Sequence, residues 1–182
     1  GFNGGTAVHA VALTPDGRWV VSDESHEKTL IAWDLESGRK KVILRGHSSY
    51  VNIAVVTPDG RQVISGSDDG TVKIWDLKSG QELATLADHL SQVFALAVTP
   101  DGRRLVVPGK YSDLKVWDLD SRTELLTLNR HTGNITVIAV TADGRRVISG
   151  SDDRTIKVWD LESGIELASS RLEAIPRSLE VC

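Results

Sequence analysis

Residues 61–77 read RQVISGSDDGTVKIWDL, and residues 145–161 read RRVISGSDDRTIKVWDL; thirteen of the seventeen positions are identical. The dipeptide Trp-Asp stands at 33–34, 75–76, 117–118 and 159–160, each start 42 residues after the last. A fixed period of this length marks a repeat architecture, in which one supersecondary unit recurs and buries its apolar faces against its neighbours.

The second copy shows the unit most clearly. Residues 51–56 form a β-rich run, broken at Thr57-Pro58-Asp59-Gly60, where proline fixes φ and glycine admits positive φ. Residues 62–65 form a second run, and Ser67-Asp68-Asp69-Gly70 reads as a tight hairpin turn. Residues 71–75 alternate, so that Val72 and Ile74 share one face and Lys73 and Trp75 the other. After Lys78-Ser79-Gly80 the chain runs into a fourth strand over 82–86. Four short strands and three turns make an antiparallel meander. A lone meander cannot bury its faces, but copies stacked radially as propeller blades can.

Gly46-His47, Thr57-Pro58-Asp59-Gly60, Ser65-Gly66-Ser67-Asp68-Asp69-Gly70 and Trp75-Asp76 together resemble the WD-repeat β-propeller family, over roughly residues 1–172. The resemblance implies an all-β chain of four four-stranded antiparallel blades, at about 5–44, 48–86, 90–128 and 132–170. A non-repeat tail over 173–182, expected to fray, follows. Four blades leave no strand over to latch a ring, and such rings usually hold more. The expected architecture is therefore half of an eight-bladed ring, closed by a homodimer in which blade four of each chain meets blade one of the other. The alternative is a fragment of a longer propeller.

The resemblance also implies two structural tetrads: His47, Ser65, Asp69 and Trp75, and His131, Ser149, Asp153 and Trp159. In each, the indole N–H bonds to serine, serine to histidine and histidine to aspartate. A buried tryptophan must place its N–H, and a His–Asp contact is charge-assisted. A Ser-His-Asp set also suits nucleophilic catalysis, but a serine duplicated in two blades and tied to a tryptophan each time is better explained as an architectural clip. No catalytic residue is expected. His47, His89 and His131 recur one per blade, too far apart to share a zinc ion. The Asp68-Asp69 and Asp152-Asp153 pairs lack the alternating spacing of a calcium loop. No metal and no cofactor are expected, and no glycine-rich loop leads into a helix.

The other two copies depart from this pattern. In the third, the register gives His89 and Trp117, but Val107 replaces the serine, Tyr111 the aspartate and Pro108 the Gly66 glycine. This degenerate tetrad is either neutral decay or a local recognition feature carried by Lys110 and Tyr111. In the first, Gly4 falls where His47 does, and the turn spanning 23–28 holds one extra residue.

The family resemblance places partner binding on the face bearing the second hairpin turn of each blade. The positions are three and five residues after the histidine and one before the tetrad aspartate. They are Ala7, His9 and His26; Tyr50, Asn52 and Asp68; Gln92, Phe94 and Lys110; and Asn134, Thr136 and Asp152. Tyr50 and Phe94 are the candidate anchors, because aromatic residues dominate interface energetics. The competing reading is that each fills a blade interface.

The net charge of −4 is mixed along the chain of 182 residues, which disfavours nucleic acid and anionic membrane as partners. No apolar run is long enough to span a bilayer, and no signal-like segment opens the chain. The single cysteine is Cys182, so there is no disulfide framework, and a cytoplasmic location is expected. There is no methionine, even at position 1, which indicates a processed chain or a piece of a longer one. The expectation is a non-catalytic scaffold or recognition module that binds a protein or peptide. Its alternatives are a self-assembling propeller piece, a sensor part of a larger protein, and, more remotely, an enzyme with a site in the central channel.

Overall fold

The computed structural model describes residues 8–24, 27–87 and 92–177. The described residues hold sixteen strands in four four-stranded antiparallel sheets and no helix. The chain divides into two compact units, residues 1–93 and 94–182. The first unit contains β1 (Val11–Leu13), β2 (Trp19–Glu24), β3 (Thr29–Asp34) and β4 (Arg39–Leu44) in one sheet. Its second sheet is β5 (Val51–Val56), β6 (Gln62–Ser67), β7 (Thr71–Asp76) and β8 (Glu82–Ala87). The second unit contains β9 (Ala97–Val98), β10 (Arg104–Pro108), β11 (Leu114–Asp118) and β12 (Glu124–Leu128). Its other sheet is β13 (Ile135–Val140), β14 (Arg146–Ser151), β15 (Thr155–Asp160) and β16 (Glu166–Arg171). Every sheet is a meander in chain order, so the four-stranded antiparallel blade expected from the repeat is present four times.

The turns follow from their side chains. Thr57 Oγ donates to Asp59 Oδ1 at 2.6 Å, and Asp59 Oδ1 also accepts the Arg61 N–H at 3.0 Å, closing the first turn around Gly60. Past the Trp-Asp pair, Asp76 Oδ1 accepts both the N–H and the hydroxyl of Ser79, at 2.7 and 2.6 Å. The turn between the second and third strands of each blade ends on a left-handed residue: Lys28, Gly70, Ser112 or Arg154, with φ of 56°, 77°, 62° and 63°. Only one of the four is glycine, so the hairpin imposes this conformation on residues that ordinarily avoid it. Each third strand also shifts register just before its tryptophan, at 32/33, 74/75, 116/117 and 158/159, and such bulges sharpen the strand twist.

Each unit has its own core. In the first, Ala10, Val21, Leu30, Ala32 and Leu44 of blade one pack with Val51, Ala54, Val63, Trp75 and Leu77 of blade two. In the second, Ala95, Val106, Leu114, Val116 and Leu128 of blade three pack with Ile135, Ile138, Val147, Trp159 and Leu161 of blade four. Stacking one sheet's apolar face on the next solves the burial problem a single meander cannot.

Blade three departs at its inner strand. Gly66 pairs with Ile53, and Gly150 with Val137, but Pro108 in the same register has no inner-strand partner. Proline has no N–H for the ladder. The inner strand β9 is accordingly two residues long, against six for β5 and β13. The tail, expected to fray from residue 173, is instead anchored on blade four at Pro176, while Glu173, Ala174, Ile175 and Arg177 are exposed. The Leu172 N–H donates to Arg154 O at 2.7 Å, Thr136 Oγ donates to Pro176 O at 2.7 Å, and Pro176 is buried. The physical reason is Gly150, whose missing side chain leaves the space Pro176 fills.

Candidate protein-interaction face and its supporting tetrads

In blade two, Trp75 Nε1 donates to Ser65 Oγ at 2.8 Å, and Ser65 Oγ lies 2.8 Å from His47 Nε2. His47 Nδ1 lies 2.9 Å from Asp69 Oδ2. The donors fix the tautomer. Ser65 Oγ accepts from the indole and therefore gives its own proton to Nε2, so Nδ1 carries the hydrogen and donates to the carboxylate. Asp69 Oδ2 also accepts the Ser48 N–H at 2.8 Å, and Oδ1 accepts the Thr71 N–H at 2.9 Å. Blade four repeats the arrangement: Trp159 to Ser149 at 2.9 Å, Ser149 to His131 at 2.8 Å and His131 to Asp153 at 2.9 Å.

Electrostatics hold these clips neutral at histidine and ionised at aspartate. Burial pushes both His47 and His131 below the ordinary imidazole value, and the facing carboxylates only partly offset it. For Asp69, burial pushes upward, but bonds from the Thr71 hydroxyl, the Ser48 N–H, His47 and the Thr71 N–H outweigh it and lower the pKa to about 2. Asp153 is lowered likewise, with Thr155, Thr132 and His131 as donors. The result ties the turn between the second and third strands of blades two and four to the histidine that precedes the inner strand and to the third-strand tryptophan.

The other two blades lack this relay. Trp117 Nε1 is buried with no hydrogen-bond partner among the described residues, and the fully buried Val107 stands at the serine position. His89 lies outside the described residues. Tyr111, in the aspartate position, is 76% exposed, with Lys110 Nζ 5.1 Å from its ring centroid. In blade one, Trp33 Nε1 still donates to Ser22 Oγ at 3.1 Å, but Thr29 Oγ is buried without a partner among the described residues. There the buried Asp23 fills the glycine register and accepts the N–H groups of His9 and Ala10 at 2.8 and 2.9 Å.

Of the candidate partner positions, those of blades two and four lie beside the turns that the tetrads brace. Tyr50 is 48% exposed and Phe94 53% exposed, so neither ring is consumed by packing within its unit. Asp68 accepts from Asn52 Nδ2 at 2.6 Å, and its N–H donates to Tyr50 O at 2.9 Å. Asp152 accepts from Asn134 Nδ2 at 3.0 Å, and its N–H donates to Asn134 O at 2.9 Å. Tyr50, Asn52 and Asp68 are thus brought together, as are Asn134 and Asp152. Gln92 and Lys110 are exposed, while Thr136 is engaged by Gly150 O and Pro176 O. His9 lies half-exposed, with Nδ1 3.6 Å from Asp23 Oδ2. His26 and Ala7 lie outside the described residues. Among the described residues no group of three or more His, Cys, Asp or Glu is placed to hold a metal ion.

One recurring pair is not singled out by the motifs. Lys73 Nζ bonds Glu82 Oε2 at 2.9 Å and Lys157 Nζ bonds Glu166 Oε2 at 3.1 Å; Lys115 and Glu124 pair in the same way. These lysines are buried or half-buried beside the tryptophan and clip the third strand to the fourth. The signal is in the sequence: a lysine two before each of the last three Trp-Asp pairs and a glutamate seven after.

Four-stranded meanders, Trp-Asp turns and a Trp–Ser–His–Asp relay define a WD-repeat β-propeller protein. Within that class the chain belongs to the family described as nucleolar protein 10-like, N-terminal domain, whose model matches residues 6–178. It is 30% identical over 66 residues to THO complex subunit 6 of Arabidopsis thaliana, covering 36% of this chain and 18% of that protein. It is 32% identical over 79 residues to small ribosomal subunit protein RACK1 of Dictyostelium discoideum, covering 40% and 23%. It is 30% identical over 66 residues to the periodic tryptophan protein 2 homolog of Mus musculus, covering 36% and 7%. The matched region is thus less than a quarter of each of these relatives. The family overturns the cytoplasmic expectation, because its description is that of a nucleolar protein. That expectation rested on the absence of a cysteine framework, which is equally compatible with the nucleus.

Proposed function

We propose that this chain is a non-catalytic protein-interaction module whose partner is a protein or peptide within a multi-subunit nuclear assembly. The carrying observation is that Tyr50 stands half-exposed beside backbone that the blade-two tetrad and the Asn52–Asp68 contact brace, while Phe94 in the second unit is half-exposed as well. Rigid aromatic side chains give large contact area at small entropic loss, which is what hot-spot anchors require. Two of the relatives are named for a complex and a ribosomal subunit, and the family name supports the nuclear compartment. The serines and histidines that could suggest catalysis are spent on duplicated clips, and the mixed net charge of −4 favours protein over nucleic acid.

The test is capture of a partner by the intact chain. Tyr50→Ala and Phe94→Ala each weaken it by about tenfold or more while leaving the melting temperature unchanged. Lys78→Ala and Glu162→Ala, on other turns, have no effect. Equal losses from all four variants would remove the assignment of the face.

A second reading is self-association. Val8, three residues before β1, and Val11 and Leu13 within it are 58%, 61% and 59% exposed. An apolar strip of this kind suits a second copy, in the blade-four-to-blade-one contact that would complete an eight-bladed ring. Light scattering at twice 19.8 kDa at high concentration, lost on Val8→Asp, is the expected outcome.

A further inference from the structure

The first unit shows how a blade receives the segment of chain that follows it. The floor is Gly66: a Cβ there would lie 2.4 Å from Val93 Cγ1 and 3.0 Å from Ile53 Cγ2. Val93 is buried, its N–H donates to Ser67 O at 3.1 Å, and its carbonyl faces Asn52 Nδ2 at 3.4 Å. Gly66 is a glycine because Val93 sits where a side chain would be.

The second unit contains the same seat on blade four, filled differently. A Cβ on Gly150 would lie 2.5 Å from Pro176 Cγ and 2.8 Å from Val137 Cγ1. The Pro176 carbonyl accepts from Thr136 Oγ at 2.7 Å. Gly150, Val137 and Thr136 each stand 84 positions after Gly66, Ile53 and Asn52. A residue outside the repeat thus occupies a seat the repeat builds. One bond is missing: proline has no N–H to give the Ser151 carbonyl, the counterpart of the Ser67 carbonyl that Val93 engages. Val8 holds the register of Val51, Val93 and Ile135, has both a branched aliphatic side chain and an N–H, and is 58% exposed.

We propose that residues 172–177 are a strap whose Pro176 occupies the blade-four seat in competition with Val8 of a second copy. This rests on the self-association reading above and adds what regulates it. The strap has the advantage of being on the same chain, where effective concentrations reach about millimolar. Val8 brings the missing hydrogen bond and, with Val11 and Leu13, more apolar area to bury. The strap therefore raises the concentration at which two copies pair.

Sedimentation equilibrium on the intact 182-residue chain, Pro176→Asp, and Pro176→Asp with Val8→Asp tests this. The expected result is that Pro176→Asp lowers the dimer dissociation constant at least tenfold and that adding Val8→Asp leaves only monomer. If neither the intact chain nor Pro176→Asp pairs at any concentration, the self-association reading fails and the strap with it. If both pair through Val8 with the same dissociation constant, the strap alone is overturned. Pairing of Pro176→Asp that survives Val8→Asp also overturns it. Circular dichroism verifies the fold of each variant, and Pro176→Ser replaces Pro176→Asp if the latter does not fold.

Discussion

Trp117 and Trp75 occupy the same place in their blades and differ in the fate of the indole N–H. Trp75 gives its N–H to Ser65, whereas Trp117 has Val107 where the acceptor should be. A buried unsatisfied donor costs about 1–3 kcal/mol, and the valine contributes about 1–2 kcal/mol of apolar burial in return. Val107→Ser with Tyr111→Asp, which recreates the residue types at 65 and 69, is expected to raise the melting temperature by about 2–4 °C. The reverse change, Ser65→Val, orphans both Trp75 and His47 and is expected to lower stability by about 2–3 kcal/mol in urea denaturation. A double variant that melts lower while Ser65→Val is destabilising would refute this account of blade three. The tetrad positions were legible because the 42-residue spacing aligns them. The orphan at Thr29 was not, since Thr71 gives its hydroxyl to Asp69 in blade two, whereas blade one has Glu27 in the aspartate position and Thr29 looks ordinary by itself.

Pro108 acts on a whole strand. Without its N–H the inner strand of blade three pairs only at Ala97 and Val98. Pro108→Gly, matching Gly66 and Gly150, is expected to extend the ladder toward Ala95 and to slow amide exchange of residues 95 and 96 by about tenfold or more. Unchanged exchange in a folded variant would mean that something other than the proline ends the strand. The strands and turns themselves were readable from alternation and from the turn residues Thr57-Pro58-Asp59-Gly60, Ser67-Asp68-Asp69-Gly70 and Lys78-Ser79-Gly80, because those signals are local. The packing of the tail was not. Pro176 matches no repeat position, and only the cavity above Gly150, a tertiary feature, explains why it is buried.

Across the whole chain, acid should weaken the fold in two stages. His47 and His131 bind protons less readily when folded than at their ordinary value of 6.5, so the unfolded chain takes up more protons as pH falls through that value. Stability is full above pH 6.5 and declines below it. Asp69, at about 2 when folded against an ordinary 3.8, adds a second decline as pH falls from near 4 toward 2. Urea midpoints measured between pH 8 and pH 3 follow this course, and His47→Gln with His131→Gln flattens the first stage. A midpoint that rises as pH drops from 7 to 5 would contradict it. The compartment, by contrast, leaves no imprint on composition that the chain's physics could reveal.

The near-identity of blades two and four has a consequence for refolding. Strand β7 carries Val72 and Ile74, and β15 carries Ile156 and Val158, so exchanging the two strands swaps the order of valine and isoleucine but leaves the number of side-chain carbons unchanged. Strands β6 and β14 differ at a single position. Side-chain fit therefore separates the native partner from its duplicate only weakly, by no more than about 1.5 kcal/mol. What separates them is loop length: β6 meets β7 across a turn, whereas β15 lies 84 positions further along the chain. Closing the longer loop costs roughly 3 kcal/mol more in chain entropy. Correct pairing in these two blades is thus decided more by connectivity and speed than by recognition, and at high protein concentration, where a neighbouring molecule's strand competes with the chain's own, that margin narrows.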